Sequence, residues 1–163
     1  METLDRQAYL SFKLNEELFA VSTFKVLEVL EKQHITSVPK APEYVLGIIN
    51  FRGEVLPVID ARKKFHMPER AADAKFVIIV LDLSLDNNKY LLGAVADSVK
   101  DVIEISKTDI KDVPKMGLNY NTEFITGMVH FESSFIMMLD IDKVFSSEDV
   151  HFVTQHQTES SES

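Results

Sequence analysis

The stretch that decides the fold is YVLGIINFRGEVLPVIDARKKF, residues 44–65, because it occurs a second time as FITGMVHFESSFIMMLDIDKVF, residues 124–145. The two copies align without a gap, and nearly every apolar position of one copy is apolar in the other. The identical positions are Gly47/Gly127, Phe51/Phe131, Asp60/Asp140, Lys63/Lys143 and Phe65/Phe145. Such agreement indicates a repeated supersecondary unit. Positions at which the copies differ are then places to look for function.

Outside this match the repeat continues with small gaps. The aligned pairs are Leu18–Val21 with Leu92–Val95, Val26–Val29 with Val102–Ile105, and Val38–Lys40 with Val113–Lys115. Each copy therefore reads as two strands, a short link, a proline turn, two strands and a helical turn. The link from Ser22 to Glu31 fits a short helix, capped by Ser22 or Thr23, about as well as a strand. Many short strands and few helical residues predict small β-barrels.

The repeat also sets the expected domain boundaries. We predict repeat units of about residues 9–65 and 76–145 within a single domain of residues 8–147. We expect residues 1–7 to be an N-terminal extension and residues 148–163 to be a polar, flexible tail. The sequence leaves open whether strands are exchanged between the two units.

Composition excludes several functional classes. The chain has 163 residues, a net charge of −9 and no cysteine. The negative charge opposes nucleic-acid binding, and the lack of cysteine excludes disulfides and thiolate chemistry. Residues 1–7 lack the basic-then-apolar order of a secretory signal, and no apolar run approaches the length of a membrane span. We expect a soluble, cytoplasmic protein without direct membrane insertion.

Catalytic and metal-binding signatures are missing from the sequence. The five histidines lack metal-site spacing, and no glycine-rich phosphate loop or serine elbow occurs. Carboxylate pairs such as Asp140/Asp142 are typical of turns and helix ends, although they could also hold a hard cation. Asp60 and Asp140 recur between a strand and a helical turn, which predicts two helix N-caps and not a catalytic dyad.

The copies differ most at the turn of the repeated stretch. The first copy has Arg52-Gly53 where the second has Glu132-Ser133. A turn tolerates many polar residues. A guanidinium in the first copy at the position where the second copy has a carboxylate therefore suggests that Arg52 has an additional partner. A solvated arginine in an ordinary turn is the other interpretation.

These residues resemble the CheW family of chemotaxis coupling proteins. The stretch Gly47–Phe65 is similar to the family pattern Gly-x-x-Asn-Leu-Arg-Gly-x-x-x-Pro-x-x-Asp-Leu-Arg, with Phe51 and Ala61 in place of the two leucines. Further matches occur in family order at Phe24–Val29, Leu92–Val102 and Thr122–Gly127. The resemblance covers about residues 8–147.

The resemblance implies an all-β fold of two SH3-like five-stranded β-barrels with a shared hydrophobic interface and short helical links. It implies an adaptor without catalytic activity, cofactor or metal, which joins the cytoplasmic tip of methyl-accepting chemoreceptors to the regulatory domain of the histidine kinase CheA. It also implies recruitment to receptor arrays at the inner face of the membrane. By position, the candidate partner-binding residues are Val26, Glu28, Val29, Arg52, Gly53, Val102 and Gly127, with Glu28 and Arg52 as an ion pair.

Physical reasoning adds one expectation and two alternatives. Val26, Val29 and Val102 belong either to the core or to a groove between the barrels that receives an apolar stripe of a helical receptor. One alternative function is a small β-barrel that binds nucleic acid or an acidic ligand. The other is a CheW-like adaptor of a chemosensory pathway other than motility.

Overall fold

The structure is a computed structural model that describes residues 6–71, 73–85, 87–113 and 124–144. These residues form ten strands and two one-turn α-helices. The strands are β1 (Arg6–Leu14), β2 (Glu17–Ser22), β3 (Val26–Glu31), β4 (Val45–Phe51), β5 (Glu54–Asp60), β6 (Val77–Leu85), β7 (Asn88–Ala96), β8 (Ser98–Ser106), β9 (Ile125–Phe131) and β10 (Ser134–Leu139). The helices are α1 (Ala61–Lys64) and α2 (Ile141–Val144). β1 begins two residues before the predicted domain boundary, and the predicted tail lies outside the described residues.

The ten strands form two five-stranded sheets that exchange hairpins. The first sheet has the order β3-β6-β7-β5-β4 and the second has the order β8-β1-β2-β10-β9. The hairpin β1–β2 therefore leaves its own repeat and joins β8, β9 and β10, while β6–β7 joins β3, β4 and β5. The two sheets have equivalent strand orders, which is the result expected of a duplication with reciprocal exchange.

Strand register corrects one part of the sequence alignment. Val58 pairs with Gly93, and its repeat equivalent Met138 pairs with Ala20. Ala20 therefore corresponds to Gly93, whereas the gapped alignment had set it against Ala94. The alignment of Leu18–Val21 was wrong by one residue.

The link strands β3 and β8 require a larger correction. Through their pairing with β2 and β7, Leu10 and Ile79 occupy equivalent positions in the two sheets. Val102 lies opposite Leu10, and Val29 lies opposite Ile79. Val102 therefore corresponds to Val29, and the gapped alignment that paired it with Val26 was wrong by three residues. The link, which the sequence read as helix or strand, is a 3₁₀ turn over Thr23–Lys25 followed by a strand.

The largest apolar cluster is shared by the two sheets. It contains Phe12 and Phe19 of the second sheet together with Leu81 and Leu92 of the first. Two smaller clusters lie within the individual sheets. Since burial of each large apolar side chain contributes about 2 kcal/mol, separation of the sheets would be costly. The predicted fold class, two five-stranded all-β units with a shared hydrophobic interface and short helical links, is confirmed.

The two helical turns begin as predicted. The Asp60 side chain accepts a hydrogen bond from the Arg62 amide at 3.0 Å, and the Asp140 side chain accepts one from the Asp142 amide at 3.1 Å. Each carboxylate satisfies an N–H group that the helix itself leaves unpaired. Ala61, which stands where the family pattern has leucine, lies beside an apolar void of about 20 Å³ in the shared core.

Candidate partner-binding surface

Three apolar side chains are exposed at the edge of the first sheet that β3 forms. Phe24 is 84% exposed in the 3₁₀ turn, and Leu27 and Val29 are exposed on β3. The register shifts between Val26 and Glu28, which marks a β-bulge at Leu27. Exposed apolar residues grouped on a sheet edge are typical of a surface that a partner covers. We call Phe24, Leu27 and Val29 the β3 surface.

Sequence reasoning missed two members of this surface, Phe24 and Leu27. With Val29 matched to Val102, the same offset aligns Phe24 with Asp97. This offset also aligns Val26 with Val99, and the register of β8 shifts between Val99 and Val102 as that of β3 shifts after Val26. An aspartate in one copy and an exposed phenylalanine in the other is as sharp a difference as that at Arg52. A correct alignment of the link strands would have revealed it.

The turn that joins β4 to β5 carries Arg52. Arg52 and Gly53 have φ values of 53° and 85°, and Phe51 pairs with Glu54 across them. Two residues with positive φ between paired strands are typical of a type I′ hairpin turn. The Asn50 side chain fixes this turn by accepting a hydrogen bond from the Gly53 amide at 3.0 Å.

The Arg52 side chain joins this turn to β3. Its guanidinium donates a hydrogen bond to Glu28 at 3.1 Å and stands 4.8 Å from the centroid of the Phe51 ring. The expected Glu28–Arg52 ion pair is therefore present. Because β3 and β4 form opposite edges of the first sheet, the pair links those two edges. The second copy repeats the backbone, with positive φ at Glu132 and Ser133, but lacks the guanidinium.

Other predicted site residues are distributed over both sheets. Val26 is partly buried and packs against the shared core. Val102 is 61% exposed on β8, at the edge of the second sheet. Gly127 is buried on β9, where an added Cβ would meet Ile110 and Lys111. The structure thus brings Glu28 and Arg52 into contact, with Val29 next to Glu28 along β3. A groove that Val26, Val29 and Val102 line jointly stays a prediction.

The family to which this architecture belongs is shown by comparison with known proteins. The sequence model of the CheW-like domain family matches residues 8–149 of this chain. The chain belongs to the CheW-like family. The chemotaxis protein CheW of Treponema pallidum is 33% identical over 142 residues, which are 86% of this chain and 82% of that protein. CheW of Klebsiella aerogenes is 30% identical, covering 90% of this chain and 86% of that protein.

A solved structure gives the same result for the fold. The crystal structure of the scaffolding protein TtCheW from Thermoanaerobacter tengcongensis matches with a TM-score of 0.75 and 30% identity. The match covers 88% of this chain and 94% of that chain. The CheW-like assignment therefore rests on sequence and on architecture together.

Metal and membrane sites were also sought in the described ranges. No group of three His, Asp or Glu side chains there could hold a metal ion. None of the helices in those ranges has the length and apolar character to cross a membrane. The carboxylate of Asp60, which lines a cavity of about 770 Å³, is engaged in capping α1.

The Glu28–Arg52 pair should contribute little to stability. Both side chains are substantially exposed, so we expect a coupling free energy of about 0.5 kcal/mol, which falls as salt is added. Urea unfolding of the unchanged protein, Glu28→Ala, Arg52→Ala and the double variant measures it as a double-mutant cycle. A coupling free energy of zero at low salt would contradict the ion pair.

Proposed function

We propose that this protein is a non-enzymatic adaptor that couples methyl-accepting chemoreceptors to the histidine kinase CheA in bacterial chemotaxis. The observation that carries the proposal is the exposed β3 surface beside the Arg52–Glu28 pair, on a chain whose relatives are chemotaxis proteins. An adaptor acts through such surfaces, since it needs two binding sites and no reacting group. The protein would work in the cytoplasm, at receptor arrays on the inner face of the membrane.

The candidate residues are divided between the two sheets, which supports a protein that binds two partners. Val26, Glu28, Val29, Arg52 and Gly53 belong to the first sheet, whereas Val102 and Gly127 belong to the second. One surface would contact the regulatory domain of CheA and the other the receptor tip, and variants confined to one sheet assign each partner. A helical receptor would offer an apolar stripe to exposed valines. The comparisons lend no support to the nucleic-acid alternative.

Charge reversal at Arg52 tests the first surface. We expect Arg52→Glu to weaken binding of the CheA regulatory domain, or of a receptor tip fragment, at least tenfold, because it removes the guanidinium and repels Glu28. Affinities are measured by isothermal titration calorimetry with each partner in turn. Folding should change little, since Arg52 is well exposed.

Lys75→Glu is the matched control for that experiment. It makes the same change in net charge at an exposed residue outside the candidate set, just before β6. We expect its affinities to stay within twofold of the unchanged protein. Failure of the unchanged protein to bind either partner would refute the adaptor function, and equal losses in both variants would refute the importance of Arg52.

A further inference from the structure

The chain crosses between the two sheets at two equivalent links, and each link is held by an ion pair. Between β2 and β3, the Lys25 ammonium lies 2.8 Å from the Asp142 carboxylate of α2. Between β7 and β8, Asp97 accepts hydrogen bonds from the Arg62 guanidinium of α1. The helix supplies the acid in one pair and the base in the other. The two links are thus clamped with opposite polarity.

Each clamp also reaches the hairpin that has been exchanged. The second oxygen of Asp142 accepts a hydrogen bond from the Ser84 amide of β6 at 3.1 Å. The Asp97 carboxylate accepts one from the Asn15 amide, in the turn between β1 and β2, at 2.9 Å. One carboxylate in each half therefore ties a link, a helical turn and an exchanged hairpin together.

The two clamps differ in strength. Arg62 and Asp97 are 13% and 21% exposed, share two hydrogen bonds and have Arg70 as a third member. Lys25 and Asp142 are 28% and 29% exposed and make a single ion contact. A more exposed pair with one contact is more easily broken, because water replaces its interaction at little cost. The link between β2 and β3 is accordingly the weaker of the two.

The weaker clamp adjoins the β3 surface. Lys25 follows Phe24 and precedes Val26, whose amide closes the 3₁₀ turn by donating to the Thr23 carbonyl. The ion pair with Asp142 anchors the Lys25 ammonium to the second repeat, while the neighbouring Phe24 side chain projects into solvent. A movement of Asp142 would be transmitted to Phe24 of the β3 surface through a single residue, Lys25.

From this geometry we propose that Lys25 and Asp142 are positioning residues for the β3 surface. Asp142, which belongs to the second repeat, holds the turn that presents Phe24 and the start of β3. A displacement of α2 therefore changes the affinity of the first sheet for its partner. The effect on affinity rests on the proposed function, whereas the effect on the turn does not. An ion pair that only stabilised the fold would change unfolding and leave the presentation of Phe24 unaltered.

Hydrogen exchange in the free protein tests the positioning by itself. Asp142→Asn keeps a side-chain oxygen for the Ser84 amide but removes the charge that holds Lys25. We expect amide exchange of Phe24 to Leu27 to become at least fivefold faster, while exchange at Asn15, beside the other clamp, stays unchanged. Unaltered exchange over Phe24 to Leu27 would overturn the proposal. So would equal acceleration throughout the chain, because that reports general destabilisation.

Charge exchange tests the consequence for binding. Lys25→Glu should weaken binding of the CheA regulatory domain at least fivefold, and the double variant Lys25→Glu/Asp142→Lys should restore most of that affinity. Lys75→Glu, an exposed residue just before β6 at the end of that strand away from Ser84, serves as the control for net charge. If Lys25 touched the partner directly, Asp142→Lys would not rescue binding, and that result would overturn the positioning role. If the unchanged protein binds no partner, the adaptor function fails. The hydrogen-exchange experiment on the free protein still decides whether Asp142 positions the turn.

Discussion

Replacement of Gly47 by alanine should lower the free energy of unfolding by about 3 kcal/mol or more. After β3 the chain returns to the opposite edge of the first sheet, where Thr36 and Ile48 exchange backbone hydrogen bonds at 3.0 and 2.8 Å. A Cβ on Gly47 would overlap the Thr36 carbonyl, which is backbone and cannot rotate away. Gly47 also has a φ of +150°, a region that costs residues with a Cβ further strain. Urea unfolding measures the loss.

Two other glycines separate the contributions of space and backbone conformation. Gly127 is the repeat equivalent, and its Cβ would meet Ile110 and the carbonyl of Lys111, yet its φ is not positive. We expect Gly127→Ala to cost about 2 kcal/mol, from overlap alone. Gly53 has a φ of +85° but no atom within 4 Å of the added Cβ, so Gly53→Ala should cost about 1 kcal/mol. Equal losses in Gly47→Ala and Gly53→Ala would show that the contact with Thr36 is unimportant.

The glycine pair also shows what the sequence could predict. The identity of Gly47 and Gly127 followed from an ungapped alignment, and so did the two hairpins and the caps at Asp60 and Asp140, because local residue patterns determine these features. The reason for glycine did not follow. It depends on a crossing by Thr36 or Lys111, which is a contact distant in sequence.

The exchange of hairpins between the two sheets could not be predicted from the sequence, for a similar reason. Duplication leaves each hairpin with two nearly equivalent sets of strands to pair with, and alternation of apolar residues is the same in both arrangements. The choice between them depends on the links, where a 3₁₀ turn and a bulge at Leu27 disturb the two-residue period. These irregularities also misplaced the alignment of Val102 and hid Phe24. The Glu28–Arg52 pair was predicted from family resemblance, since nothing in the spacing of the two residues requires it.

Loss of the Asp97 carboxylate should be the most destabilising change of a charged residue. Asp97 accepts hydrogen bonds from Arg62 at 3.0 Å, from Arg70 at 2.9 Å and from the Asn15 amide at 2.9 Å. Arg62 and Arg70 are only 13% and 10% exposed. Asp97→Ala would leave both guanidinium groups largely buried without this acceptor, so we expect the free energy of unfolding to fall by about 3 kcal/mol. Asp142→Ala, which breaks the more exposed clamp, should cost about 1 kcal/mol.

The pH dependence of stability gives an independent measure of the same carboxylate. Burial by itself raises the pKa of Asp97, but hydrogen bonds from Arg62, Arg70 and the Asn15 amide outweigh it, so the pKa lies below the ordinary value of 3.8. The native state therefore binds this proton less readily than the unfolded chain does, and stability rises with pH between the two pKa values. The carboxylate contributes fully above about pH 4 and loses its contribution as the pH falls through the native pKa. Asp97→Asn keeps an acceptor oxygen but cannot ionise. The difference in unfolding free energy between the unchanged protein and Asp97→Asn should thus be constant from pH 5 to 8 and shrink below pH 4; a constant difference down to pH 2 would show that Asp97 makes no charge-dependent contribution.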